Sequence, residues 1–199
     1  MKLILLFLVS FSAFSAFLPE SFSVDITQSY LTQLKSGKTK ISKGKIDYEF
    51  PGKLRYKNDE LTFVANNKKS WHFTPTVFPG EKNDVVISSK NHLVGKLFDA
   101  LKKGLTNNNL YTVDKKTDSH FMLNFTQAGK ESFRLKSVEF FAYNNNKKEK
   151  TLKDIKRMSL EYIDSKSLNI EFRNFKVIDS FPASHFVFKV PKNTKIITQ

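Results

Sequence analysis

The feature that most constrains this chain is period-two alternation of apolar and polar residues, which recurs along most of its length. Such alternation marks strands that turn one face to a core and the other to water. Val24, Ile26, Gln28 and Tyr30 alternate, and Lys35-Ser36-Gly37-Lys38 reads as a hairpin turn into a return strand from Ile41 to Phe50. After Pro51-Gly52, Leu54 and Tyr56 interleave with Lys53, Arg55 and Lys57. Thr62-Phe63-Val64, a turn at Asn66-Asn67, Ser70-Trp71-His72-Phe73 and Asp84 to Ile87 continue the series. Later strands are expected at Leu110 to Lys115, His120 to Thr126, Phe133 to Tyr143, Leu152 to Asp164, Ser167 to Asp179 and His185 to Val190. Gln127-Ala128-Gly129-Lys130 and Asn144-Asn145-Asn146 read as turns between them. The chain holds 20 phenylalanines, so many of these apolar faces are bulky and aromatic.

One segment breaks the rhythm. Between Ser88 and Gly104 the apolar positions Leu93, Val94, Leu97, Phe98, Ala100 and Leu101 fall at helical spacings of three and four. Ser88 or Ser89 suits the start, and Lys102-Lys103-Gly104 the end. About ten short strands and one central amphipathic helix describe an antiparallel barrel or a strongly curved sheet.

The N-terminus has a different pattern. Met1-Lys2 precedes the apolar run Leu3 to Val9, and small residues follow at Ser10, Ser12, Ala13, Ser15 and Ala16. This is the arrangement of a secretory signal peptide, with cleavage expected near Ser15 or Ala16. The run is shorter than the about 20 residues that span a bilayer. The chain therefore divides into a leader, 1–16, and one domain, 17–199. The sequence has no cysteine, which excludes disulfides, thiolate metal sites and a lipid-anchored cysteine after the leader.

The formal net charge is +14. On an exported chain nucleic acid is not the expected partner; the charge either keeps an apolar-rich protein dispersed or forms a basic docking face. No nucleophile elbow, phosphate-binding glycine loop or dinucleotide fingerprint is present. His72, His92, His120 and His185 lack the spacing of a metal site, and Glu49, Glu60, Glu139 and Glu161 form no evident catalytic pair. The expectation is a binding protein without cofactor or metal rather than an enzyme.

Several blocks, in order, resemble the LolA family of periplasmic lipoprotein carriers. Gly44-Lys45-Ile46-Asp47-Tyr48-Glu49-Phe50-Pro51-Gly52-Lys53-Leu54-Arg55-Tyr56 is similar to that family's glycine, strand, proline, strand pattern. Glu60 to Pro75 continues it through Asn66-Asn67-Lys68, Trp71 and Phe73. Ile170 to Phe175 and Phe186 to Ile197 resemble its last two strands and closing proline turn. The resemblance implies a mainly β fold, an incomplete antiparallel barrel with a helical lid over a hydrophobic cavity.

It also implies a function: binding lipoprotein acyl chains and shuttling them, as a monomer, from an inner-membrane ABC transporter of the LolCDE type to an outer-membrane receptor of the LolB type. A lipid- or lipoprotein-sensing protein on the same half-barrel is the alternative. The expected cavity wall is Leu54, Tyr56, Phe63, Trp71, Phe73, Phe121, Leu123 and Phe125, and the lid is Leu93, Leu97, Phe98 and Leu101. Where the family carries an arginine that helps hold the lid, this chain has Phe50, so the lid is expected to be held by apolar contact or to stand open more often. The stretch between leader and first strand is also short and interrupted by Pro19, which implies that part of the usual lid is missing.

Overall fold

The computed structural model of the chain describes residues 16–31, 39–89, 93–102, 104–145, 147 and 149–199. Most of the expected leader, the Lys35-Ser36-Gly37-Lys38 turn, His92, Lys103 and Asn146 lie outside that set. The alternating segments become twelve strands: β1 (Ser21–Leu31), β2 (Thr39–Glu49), β3 (Lys53–Asn58), β4 (Thr62–Ala65), β5 (Ser70–Thr74), β6 (Asn83–Ser88), β7 (Tyr111–Thr117), β8 (His120–Phe125), β9 (Leu135–Ala142), β10 (Ile155–Tyr162), β11 (Ser167–Val177) and β12 (Thr194–Thr198). Two helices, α1 (Leu93–Leu101) and α2 (Gln127–Phe133), interrupt them.

All twelve strands join one sheet, in the order β12-β6-β5-β4-β3-β2-β1-β11-β10-β9-β8-β7. The terminal strands β12 and β7 do not pair with each other, so the sheet is open: a half-barrel around its helical cover. Pairing is antiparallel except between β12 and β6, which run parallel with Thr194 opposite Asn83. The period-two rule sorts each strand. On β2, Ile46 and Tyr48 turn into the main core, which also takes Leu54 of β3, while Lys43 and Lys45 stay exposed or part-exposed on the other face. Phe22, Val24 and Ile26 of β1 and Ile170 and Phe172 of β11 complete the centre. Phe17 and Leu18, just beyond the expected cleavage site, are also buried there, with Phe17 edge-on to Phe140 at 5.5 Å.

Two expectations are corrected. Gln127-Ala128-Gly129-Lys130 is not a turn but the start of α2. Thr126 Oγ1 accepts from the Gly129 N–H at 3.2 Å, and Arg134 ends the helix at φ 59°. Seven residues are too few for helical periodicity to stand out, whereas the Thr126 cap was readable. Glycine is required at position 129, since a Cβ there would lie 2.1 Å from the Leu110 carbonyl oxygen.

His185 to Val190 forms no strand. Its alternation is genuine, because Phe186 is buried and Phe188 and Val190 pack on Val64, Trp71 and Val85, but this segment satisfies its burial by lying across the outer face of the sheet. The final strand comes instead at Thr194–Thr198. Ser88 ends β6, opposite Ser70, and the start of α1 just before Leu93, where Ser88 or Ser89 was expected as the cap, falls next to residues 90–92, outside the described residues.

Candidate functional site

The concave face of the sheet holds a hollow of about 590 Å³ beneath α1. Its floor comes from deeply buried apolar side chains: Ile46 and Leu54 of β2 and β3, Met158 and Leu160 of β10, and Ile170 of β11. Phe133 and Leu135, where α2 passes into β9, close one side. Leu97 and Phe98 of α1 form the roof, and Leu93 and Val94, both more than 40% exposed, sit at the open end. Leu61, Phe63 and Leu168 complete the apolar lining.

The polar lining is Gln28, Tyr56, His72 and Tyr162. The Tyr56 hydroxyl donates to Gln28 Oε1 at 2.7 Å, reaching across β2. Gly44 permits this reach, because a Cβ at that position would lie 2.8 Å from the Tyr56 ring. Burial raises the Tyr56 and Tyr162 hydroxyls above the ordinary tyrosine value, so both stay protonated at neutral pH.

The expected wall divides along physical lines. Leu54, Tyr56 and Phe63 line the hollow. Trp71 and Phe73 do not: Phe63 pairs with His72 and Val64 with Trp71, so Trp71 and Phe73 share the opposite face with Val64 and Val85 in a small second core. Phe121, Leu123 and Phe125 lie on the concave side but at its filled end, where Phe125 packs on Phe133 at 5.3 Å and on Tyr111 at 6.0 Å. Of the expected lid, Leu93, Leu97 and Phe98 border the hollow, while Leu101 is wholly buried in the filled end. Missed were the contributions of β10 and β11, although Met158, Leu160 and Tyr162 alternate as clearly as Leu54 and Tyr56 do. That alternation was the readable signal; the register, Met158 opposite Ile170 and Leu160 opposite Leu168, then sets the two strands' apolar faces side by side.

The lid is held by apolar contact, Phe98 meeting the rings of Phe22 and Tyr48 at 5.7 and 5.3 Å, and by hydrogen bonds, while Phe50 does not pack into it. Asp99 of α1 accepts from the Tyr48 hydroxyl at 2.5 Å and from the Gly52 N–H at 2.9 Å. Gly52 sits at φ 61°, a left-handed conformation natural to glycine, in the turn between β2 and β3. Burial, and then the bond to Asp99, push the Tyr48 hydroxyl well above its usual range, so it remains a donor. Phe50 is 40% exposed and lies under the Lys102 ammonium, 4.0 Å from its ring centre, and Lys102 also pairs with Glu20. At the far end of α1, the Tyr111 hydroxyl donates to the carbonyls of Ala100 and Gly104 at 3.3 and 3.0 Å. The lid is thus tied at both its middle and its end, with its first turn at the open end.

The other described histidines have structural partners. His185 Nε2 donates to Asp47 Oδ2 at 2.9 Å and stacks on Phe181, while Arg55 donates to the His185 carbonyl at 3.0 Å, fixing the segment that crosses the outer face. His120 meets Glu139 at 3.2 Å and stacks on Phe141. Among the described residues no group of three or more His, Asp and Glu is placed to hold a metal, and no helix is long and apolar enough to cross a membrane.

No family model matches this sequence, and no curated protein matches it. Solved structures with a similar chain path exist at low identity. An uncharacterized conserved protein from Thermus thermophilus shares 8% identity over 90% of each chain, with a TM-score of 0.49. A LolA superfamily protein from Nitrosomonas europaea shares 11% identity over 85% of this chain and 90% of its own, with a TM-score of 0.44. A domain provisionally described as an outer membrane lipoprotein-sorting protein, from Vibrio parahaemolyticus, shares 10% identity over 84% of this chain and 89% of its own, with a TM-score of 0.43.

Proposed function

We propose that this protein is an exported periplasmic carrier that shelters lipoprotein acyl chains in the hollow and moves them between membranes. The observation that carries the reading is a space of about 590 Å³ whose lining is mostly apolar, with no charged Lys, Arg, Asp or Glu among the described lining residues. Well-packed interiors leave few voids larger than a water molecule, so a hollow of this size is a feature the fold maintains.

The energetics suit a carrier. Transfer of a methylene out of water is worth about 0.8 kcal/mol, so a chain of about 16 carbons carries roughly 12 kcal/mol that must be met during transit. Non-directional contact with Leu54, Phe63, Leu160 and their neighbours meets it without a covalent step, and the cargo can leave for an equally apolar acceptor. Opening the lid would break the Asp99 contacts to Tyr48 and Gly52 and swing the first turn of α1 outward. The donor would be an inner-membrane ABC transporter and the acceptor an outer-membrane receptor.

Phe63→Glu tests the reading, since Phe63 is part-exposed at the wall and a carboxylate there would be tolerated by the fold but not by an acyl chain. Wild-type protein is expected to release lipoproteins from inner-membrane vesicles and to retain lipid detectable by mass spectrometry, and the variant to do neither. Equal release by the two proteins would refute the assignment. Depletion separates a carrier from a sensor: loss of a carrier strands lipoproteins in the inner membrane.

A further inference from the structure

We propose that the hollow takes one acyl chain at a time, joined through an uncharged ester or amide, and discriminates against free fatty acids. This rests on the carrier reading and narrows its cargo.

The first support is size. A methylene takes much the same room as a water molecule in the liquid, about 30 Å³. The hollow, at about 590 Å³, then has room for about 20 such groups. One chain of about 16 carbons, linkage included, accounts for that space with the lid in place.

The second support is the chemistry of the lining. Its polar members are Gln28, Tyr56, His72 and Tyr162, and none of the described lining residues is Lys, Arg, Asp or Glu. The alternation that turns Ile46, Leu54 and Tyr56 inward turns Lys43, Lys45, Arg55 and Lys57 to the opposite face, where they border a separate shallow groove. A carboxylate drawn into the hollow would therefore lose its water and gain no cation, which is costly. An ester or amide carbonyl asks only for a hydrogen-bond donor. Burial keeps the Tyr56 and Tyr162 hydroxyls protonated, and the Gln28 amide nitrogen, whose oxygen is already engaged by Tyr56, has no partner among the described residues. Gln28 is thus the natural donor to such a linkage.

The test uses delipidated protein at neutral pH with three probes: lauroyl-lysophosphatidylcholine, laurate and dilauroyl phosphatidylcholine. Native mass spectrometry should count one lysolipid per protein. Calorimetric titration should find laurate bound about tenfold more weakly or worse, the consequence of an unpaired carboxylate, and the two-chain lipid bound no tighter than the lysolipid. Gln28→Leu should weaken the lysolipid about fivefold and leave laurate unchanged. Laurate binding as tightly as the lysolipid, two chains per protein, or a large gain for the two-chain lipid would overturn the proposal while leaving a lipid carrier intact. Binding of none of the three would remove the carrier reading with it.

Discussion

The two ends of the concave face are built by the same alternation and reach opposite outcomes. At one end, Tyr111, Leu123, Phe125, Val138 and Phe140 are each buried to 4% exposure or less, and α2, Leu101 and the N-terminal pair Phe17-Leu18 fill the space over them. At the other, Leu54, Phe63, Leu160 and Ile170 face an opening that, among the described residues, the front of α1 covers. The sheet residues differ little in character; the cover differs. An apolar strand face specifies that something must lie over it, and whether that is protein or cargo depends on how much chain is left to fill the space.

The largest expected effect tests that contrast directly. Phe140→Ala at the filled end should cost about 3–5 kcal/mol, because close-packed neighbours cannot collapse into the void. Phe63→Ala, at a wall that already borders open space, should cost about 1 kcal/mol. Urea unfolding of both variants reads the difference, and equal losses would mean that the hollow is filled in solution.

Next in size is the anchor of the filled end. Asp154, the residue before β10, is buried, and its carboxylate accepts from Asn145, Lys147 and both the N–H and hydroxyl of Thr151. Burial alone would raise its pKa, but these donors outweigh burial and hold it at about 2, against an ordinary 3.8. A depressed folded-state value means that the ionised form favours the fold. That stabilisation is complete above about pH 4 and drains away as the pH falls toward 2. Its size is about 2 kcal/mol. Asp154→Asn should lose that much at neutral pH and show a flatter stability profile through this acid window; an unchanged profile would place the acid sensitivity elsewhere.

How much of this was legible in the sequence follows from what alternation can and cannot encode. It located eleven of the twelve strands, placing the last at His185–Val190 instead of Thr194–Thr198, and α1, and it put Leu54, Tyr56, Phe63, Leu93, Leu97 and Phe98 on surfaces that do border the hollow. It also proposed Trp71 and Phe73, whose face is fixed only by the pairing of Val64 with Trp71 across the β4–β5 turn. Parity along one strand says which residues share a side, and not which side is concave. Phe121, Leu123 and Phe125 lie on the right side but under filling that comes from α2, a helix too short to announce itself. The Asp99 latch was invisible because it joins residues 47 and 51 positions apart through a glycine amide and a tyrosine hydroxyl.

That latch supplies a smaller effect, confined to the hollow end. Asp99→Ala would remove the bonds that the buried Tyr48 hydroxyl and the Gly52 N–H make to its carboxylate, a loss of about 1–2 kcal/mol. Because the contacts hold α1 to the β2–β3 turn, hydrogen exchange should quicken in α1 while β8 and β9 keep their protection. Faster exchange across both ends would show that lid and filled core open as one unit.

The smallest effect is expected to be none, and its value is that it checks the faces independently. Trp71 is the sole tryptophan of the chain, and it lies in the second core with Val64 and Val85, across the sheet from the hollow. An acyl chain entering the hollow changes the surroundings of Phe63 and His72 and not those of Trp71. Native emission should therefore stay fixed through a lysolipid titration that calorimetry shows to saturate. Moving the reporter one step along the ladder, with Trp71→Phe and Phe63→Trp together, should restore the signal: lipid entering beside an indole on the concave wall replaces water and shifts its emission to the blue. A native shift as large as that of the double variant would mean that cargo reaches the outer face, where Phe188 and Val190 now lie. The hollow and the second core would then have exchanged roles, since the same parity that places Phe63 on the wall excludes Trp71 from it.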